Sequence, residues 1–73
     1  MNINEIRIGD RFRYKHPYNS RAEPADIEII EEPKNDSFHV DEYIVGAVIV
    51  GYDNIFDAYV SGFVKRLESA TQH

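Results

Sequence analysis

Tyr43-Ile44-Val45-Gly46-Ala47-Val48-Ile49-Val50-Gly51-Tyr52 carries no charge and has an aromatic residue at each end. Nowhere else in the chain do more than three apolar residues run together. A bilayer span needs about twenty apolar residues, so this run is too short to cross a membrane. Its β-branched side chains favour a strand over a helix. It therefore reads as the central strand of a small sheet. Gly46 or Gly51 should mark a bulge, a bend or a close backbone approach.

The flanks support a sheet. Residues 11–16, Arg-Phe-Arg-Tyr-Lys-His, alternate strictly. Successive strand side chains point to opposite faces, so Phe12, Tyr14 and His16 fall inward and Arg11, Arg13 and Lys15 outward. Residues 26–32 form a second alternating segment, with Ile27 and Ile29 inward and Glu28 outward. Between them, residues 17–24 hold two prolines with Asn19-Ser20, which is loop composition. Residues 3–8 alternate weakly before a turn at Gly9-Asp10, and residues 33–37 form another turn. Residues 38–52 fit one long bent strand or two strands turning near Asp41-Glu42.

The period changes after Tyr52. Ile55, Phe56, Tyr59, Val60, Phe63, Val64 and Leu67 follow the spacing of one helical face. Asp53 or Asn54 would cap the start of such a helix, and Lys65 and Arg66 would suit its C-terminal end. Gly62 opposes it, because glycine inside a helix costs about 1 kcal/mol relative to alanine. The competing reading is a hairpin turning at Ser61-Gly62. The expected fold is α+β: a small antiparallel sheet of three to four strands with one C-terminal amphipathic helix over residues 53–68. An all-β small barrel is the alternative. One domain should span residues 1–68, followed by a polar tail at 69–73.

With 73 residues and no cysteine, the chain must be held by apolar packing rather than disulfides or zinc-thiolate sites. The N-terminus shows neither a basic nor an apolar leader segment, so no secretory signal is expected. The net charge of −5 is unevenly spread. Residues 7–21 carry a net charge of +4 and residues 23–42 a net charge of −7. The overall charge disfavours nonspecific nucleic-acid binding but leaves one basic face.

No catalytic constellation stands out. Ser37-x-His39-x-Asp41 looks like a compressed triad, but strand residues two apart lie roughly 6.6–7 Å apart, beyond hydrogen-bond reach. His16, His39, Asp41 and Glu42 lack metal-ligand spacing. Gly46 and Gly51 are spaced as in a phosphate loop, but Tyr52-Asp53 follows where Lys-Ser/Thr is required. Neither metal nor cofactor is expected. The Arg11, Arg13 and Lys15 stripe could meet phosphates, with Tyr18 stacking on a base. The favoured reading is that it forms a solvated outer face balancing the Glu28 row of a neighbouring strand.

The opening Met1-Asn2-Ile3, the segment Ile8-Gly9-Asp10-Arg11-Phe12, the acidic middle, the length and the lack of cysteine together resemble a family of small phage-encoded regulators. These are RNA polymerase-binding proteins of lytic Xanthomonas phages. The resemblance covers the whole chain. It implies a non-enzymatic monomer in the host bacterial cytoplasm. Such a protein would bind host RNA polymerase at the amino-terminal region of β′ and near the β flap, close to nascent RNA. It would inhibit initiation by displacing σ factor and promote antitermination at intrinsic terminators. From the residues themselves, Glu28, Glu31 and Glu32 are candidates to face a basic polymerase surface. Arg11, Arg13 and Lys15 are candidates to face acidic protein or RNA. A small nucleic-acid-binding module using the basic strand face is the alternative function.

Overall fold

A computed structural model describes residues 3–36 and 39–69. After a 3-10 turn at Ile3–Glu5, six strands follow: β1 (Arg11–Tyr14), β2 (Ala25–Ile29), β3 (Lys34–Asp36), β4 (His39–Ile49), β5 (Ile55–Tyr59) and β6 (Phe63–Glu68). A second 3-10 turn, Val60–Gly62, separates β5 from β6.

β4 is the axis of the fold. One of its edges pairs with β3 through Lys34↔Ile44 and with β2 through Ile29↔Ala47 and Ile27↔Ile49. Its other edge pairs with β5, from Ile44↔Tyr59 to Val48↔Ile55. β2 continues to β1 and β1 to β6, all antiparallel. The two outer strands, β5 and β6, are joined by the short 3-10 turn and do not pair with each other. Residues 44–47 are buried on both faces, which is why this part of the strand reads as an uninterrupted apolar run. The chain stays in one strand through Asp41-Glu42, which resolves the two readings of residues 38–52.

Phe12, Ile27, Ile29, Val45, Ala47 and Ala58 are fully buried, joined by Ile6 and Tyr14. Phe63 stacks on Phe12 with ring centroids 4.5 Å apart. Tyr14 sits beside Phe56 and Phe63, and its hydroxyl accepts the Tyr59 N–H at 3.1 Å. Burial of that phenol raises its pKa above the ordinary tyrosine value.

The expected C-terminal helix is absent. Residues 55–68 form two strands and a three-residue turn, and no α-helix occurs among the described residues. The α+β expectation is thus corrected to an all-β fold with six strands rather than three or four. The hairpin reading also misses, because β5 pairs with β4 while β6 pairs with β1. The helical spacing arises because the 3-10 turn resets the phase between two strands. Phe56 and Ala58 alternate inward on β5, and Phe63 points inward after the break. Ile55, Val64 and Leu67, which a helix would have buried, are exposed. Gly62 has a steric role instead. A Cβ there would approach Tyr14 Cε1 to 2.7 Å and collide with the Lys15 carbonyl oxygen. The Lys15 N–H meanwhile donates to Gly62 O at 2.9 Å, tying the end of β1 to this turn.

Both glycines of the apolar run have identifiable roles. The N–H groups of Ile30 and Glu31 both donate to Gly46 O, so two residues face one, as in a bulge. The Glu31 side chain lies over Gly46, where a Cβ would come within 2.8 Å of Glu31 Cβ. Gly51 adopts φ +94° in the turn between β4 and β5, a conformation open chiefly to glycine. Gly9 does the same before β1, with φ 97°.

Candidate functional site

Cross-strand register decides the state of the basic stripe. Arg11 faces Glu28 and Arg13 faces Asp26 across β1 and β2. Arg11 Nε lies 2.9 Å from Glu28 Oε1 and 3.7 Å from Glu68 Oε2. Arg13 Nε is 2.6 Å from Asp26 Oδ1, close in distance but not aligned as a hydrogen bond. Lys15 lies just beyond β1 and donates from Nζ to Asn19 O at 2.9 Å. Both arginines therefore already face carboxylates, and exposed pairs of this kind contribute up to about 1 kcal/mol each.

The acidic candidates are not gathered into one site. Glu28 belongs to the paired face of β2. Glu31 covers Gly46 in the bend after β2. Glu32 borders a shallow cleft with Ile3, Arg7 and Pro33, away from the Arg11–Glu28 pair. Of the six sequence candidates, the structure thus joins Arg11 to Glu28, keeps Arg13 beside them on β1, and leaves Glu31 and Glu32 outside that group.

Two other features are better organised. In the first, the loop after β1 folds back so that the Tyr18 hydroxyl donates to Glu42 Oε2 at 2.6 Å. Ser61 Oγ donates to the same oxygen at 3.1 Å. The rings of His16, Tyr18 and Tyr59 pack edge to face around this point, 5.1–6.2 Å apart. Glu42 is only 9% exposed, and the Tyr18 hydrogen bond, aided by Ser61, holds its pKa below the ordinary carboxylate value despite burial. The same bond raises the Tyr18 phenol, because it favours the protonated donor. These rings fill one another's faces and leave the carboxylate occupied. This is a latch for the loop.

The second feature is the end of the β4–β5 hairpin. Ile49, Val50, Tyr52 and Ile55 are all exposed, Tyr52 and Ile55 by 68% and 62%. Ile49 also borders an apolar groove of about 200 Å³, bounded further by Tyr14, Ala22, Glu23, Ile27 and Phe56. Asp53 and Asp57 are exposed on the same hairpin, and neither makes an ion pair among the described residues. Sequence reasoning misses this surface because the uncharged run from Tyr43 to Tyr52 reads as one central strand to its end. One signal was available: no Lys or Arg occurs in residues 35–64.

The Ser37-His39-Asp41 array falls partly outside the described residues, since Ser37 is not among them. No cluster of three or more potential metal-ligating side chains occurs among the described residues. No helix among them is long and apolar enough to cross a membrane. Compared with protein-family models, with curated proteins and with solved structures, the chain finds no match.

Proposed function

We propose that this chain is a non-enzymatic docking protein that binds bacterial RNA polymerase, displaces σ factor at initiation and promotes readthrough of intrinsic terminators. The partner comes from the whole-chain resemblance to small phage regulators. Its surfaces would be the amino-terminal region of β′ and the β flap, in the host bacterial cytoplasm. The observation that carries a docking role is the excess of exposed carboxylates that remains once the two arginines are paired. Arg11 and Arg13 face Glu28 and Asp26, while Glu31, Glu32, Asp53 and Asp57 remain exposed to solvent. An acidic surface of this kind suits a basic protein partner, raising association rate and specificity.

Displacement requires no chemistry. A ligand that prefers the polymerase state lacking σ shifts the equilibrium by its differential affinity alone. Antitermination follows by the same logic if the chain prefers the elongating state to the one that releases RNA. The alternative, nucleic-acid binding through Arg11, Arg13 and Lys15, is disfavoured because phosphates would have to compete with the carboxylates facing the two arginines and with the Asn19 carbonyl bound by Lys15.

The test is gel filtration of the pure chain with core polymerase and with holoenzyme. Co-elution with β and β′ and loss of σ from the complex is the expected result. No association at micromolar concentration, with salt-sensitive binding to free RNA instead, would overturn the proposal.

A further inference from the structure

We infer that the end of the β4–β5 hairpin and the groove beside it form the docking surface for an extended, basic, apolar-bearing segment of a protein partner. This rests on the docking role proposed above and names the surface that performs it.

Four observations converge there. Tyr52, Val50 and Ile49 place large apolar side chains in solvent at the hairpin end, and Ile55, opposite Val48, does so on the face of β5 away from Phe56. Each such side chain gains about 1.5–3 kcal/mol when fully removed from water, so a partner covering several of them is strongly favoured. The adjoining groove is lined largely by Ala22, Ile27, Ile49 and Phe56, and its volume suits one or two inserted side chains. Phe56 lies on β5, which pairs only with β4 among the described residues. Beyond Tyr59, whose N–H is held by the Tyr14 hydroxyl, the outer edge of β5 at Ile55 and Asp57 is open to an extended segment adding as a strand.

Charge selects the sign of that segment. Asp53 and Asp57 stand on the hairpin and Glu23 on the groove wall. No Lys or Arg lies between Lys34 and Lys65 to neutralise the hairpin from within. A partner bearing Arg or Lys beside its apolar residues would complete these carboxylates. A symmetric contact between two copies would instead bring Asp53 and Asp57 of both chains together, which like-charge repulsion disfavours.

The test uses the isotopically labelled full chain and two short synthetic peptides, one of alternating Arg and Val and one of alternating Glu and Val. Amide shifts are followed during each titration. The Arg-Val peptide should perturb residues 49–57 and the groove residues 22–27, and the Glu-Val peptide should not. Raising salt from roughly 0.05 to 0.3 M should weaken the response. Tyr52→Ser and Ile55→Ser should each weaken binding about tenfold. The charge reversal D53K/D57K, which leaves the apolar groups intact, should favour the Glu-Val peptide. Perturbations elsewhere, an equal response to both peptides, or no response at about millimolar concentration would overturn the inference. So would concentration-dependent dimerisation through the hairpin. Core polymerase provides a separate arm. Polymerase binding that survives all three variants overturns this surface and leaves the polymerase proposal standing. A peptide response without polymerase binding does the reverse.

Discussion

Arg66 Nη1 lies 2.7 Å from Asp10 Oδ2, joining the last strand to the turn before the first. Asp10 is fully buried and also accepts the Arg7 N–H at 2.9 Å. The guanidinium lies 4.7 Å from the Phe12 ring centroid, and its Nη2 donates to Glu5 O at 2.7 Å. One side chain therefore holds together the N-terminal turn, β1 and β6.

Arg66→Met should destabilise the chain by about 2–3 kcal/mol. Removing it leaves a buried carboxylate without its cation, and its own partial exposure keeps the loss below the range for a fully buried pair. Urea unfolding of the two proteins, with unchanged slope, measures the difference. A change under about 0.5 kcal/mol would show that Asp10 finds other compensation.

Gly46→Ala should cost about 1–3 kcal/mol, because the new methyl group enters space held by the Glu31 side chain. Pairing it with Glu31→Gly should recover part of that loss by removing the obstructing atoms. A double variant no more stable than the single one would place the strain elsewhere.

The Tyr18–Glu42 latch makes stability depend on pH at the acid end. Glu42 has a folded pKa below its unfolded value, so its contribution is complete above the unfolded pKa and is lost as pH falls through the folded one. Tyr18→Phe removes the main cause of that depression. Thermal unfolding should show wild type more stable than the variant at neutral pH, with the gap closing below about pH 4. A gap that stays constant through the acid range would contradict the latch. At the alkaline end the sign reverses: Tyr18 is raised, so its contribution is lost as pH rises through its folded pKa.

Arg13 and Asp26 are direct cross-strand partners on an open face. Arg13→Asp alone should cost up to about 1 kcal/mol by placing like charges opposite each other. Exchanging both residues, R13D/D26R, should restore stability to within about 0.5 kcal/mol. Failure of the exchange would mean that Arg13 acts through its aliphatic stem rather than its charge.

The inward faces of β1 and β2 were legible because period-two alternation is a local property of an extended chain. Phe12, Tyr14, Ile27 and Ile29 are buried as their spacing requires. The opposed charges of Arg11 and Glu28 were visible as well, although only pairing could align them. Residues 55–68 were not legible. Their apolar spacing fits a helix locally, but β4 and β1 offer strand edges to the two halves, and those distant partners outweigh a weak local preference. The candidate docking surface was hidden for a related reason. Burial of Val45 and Ala47 depends on flanking strands, and that cover stops short of Tyr52.

By itself, the sequence determined the central strand, the two alternating strands beside it, the loop between them and the uneven distribution of charge. Each follows from side-chain period, β-branching or residue count, which need no knowledge of remote neighbours. Tertiary structure alone decided that the C-terminal segment is a broken strand, that Asp10 meets Arg66, and that the hairpin end remains uncovered. Those outcomes depend on which edges and charges meet across long sequence separations, and no local pattern encodes that choice.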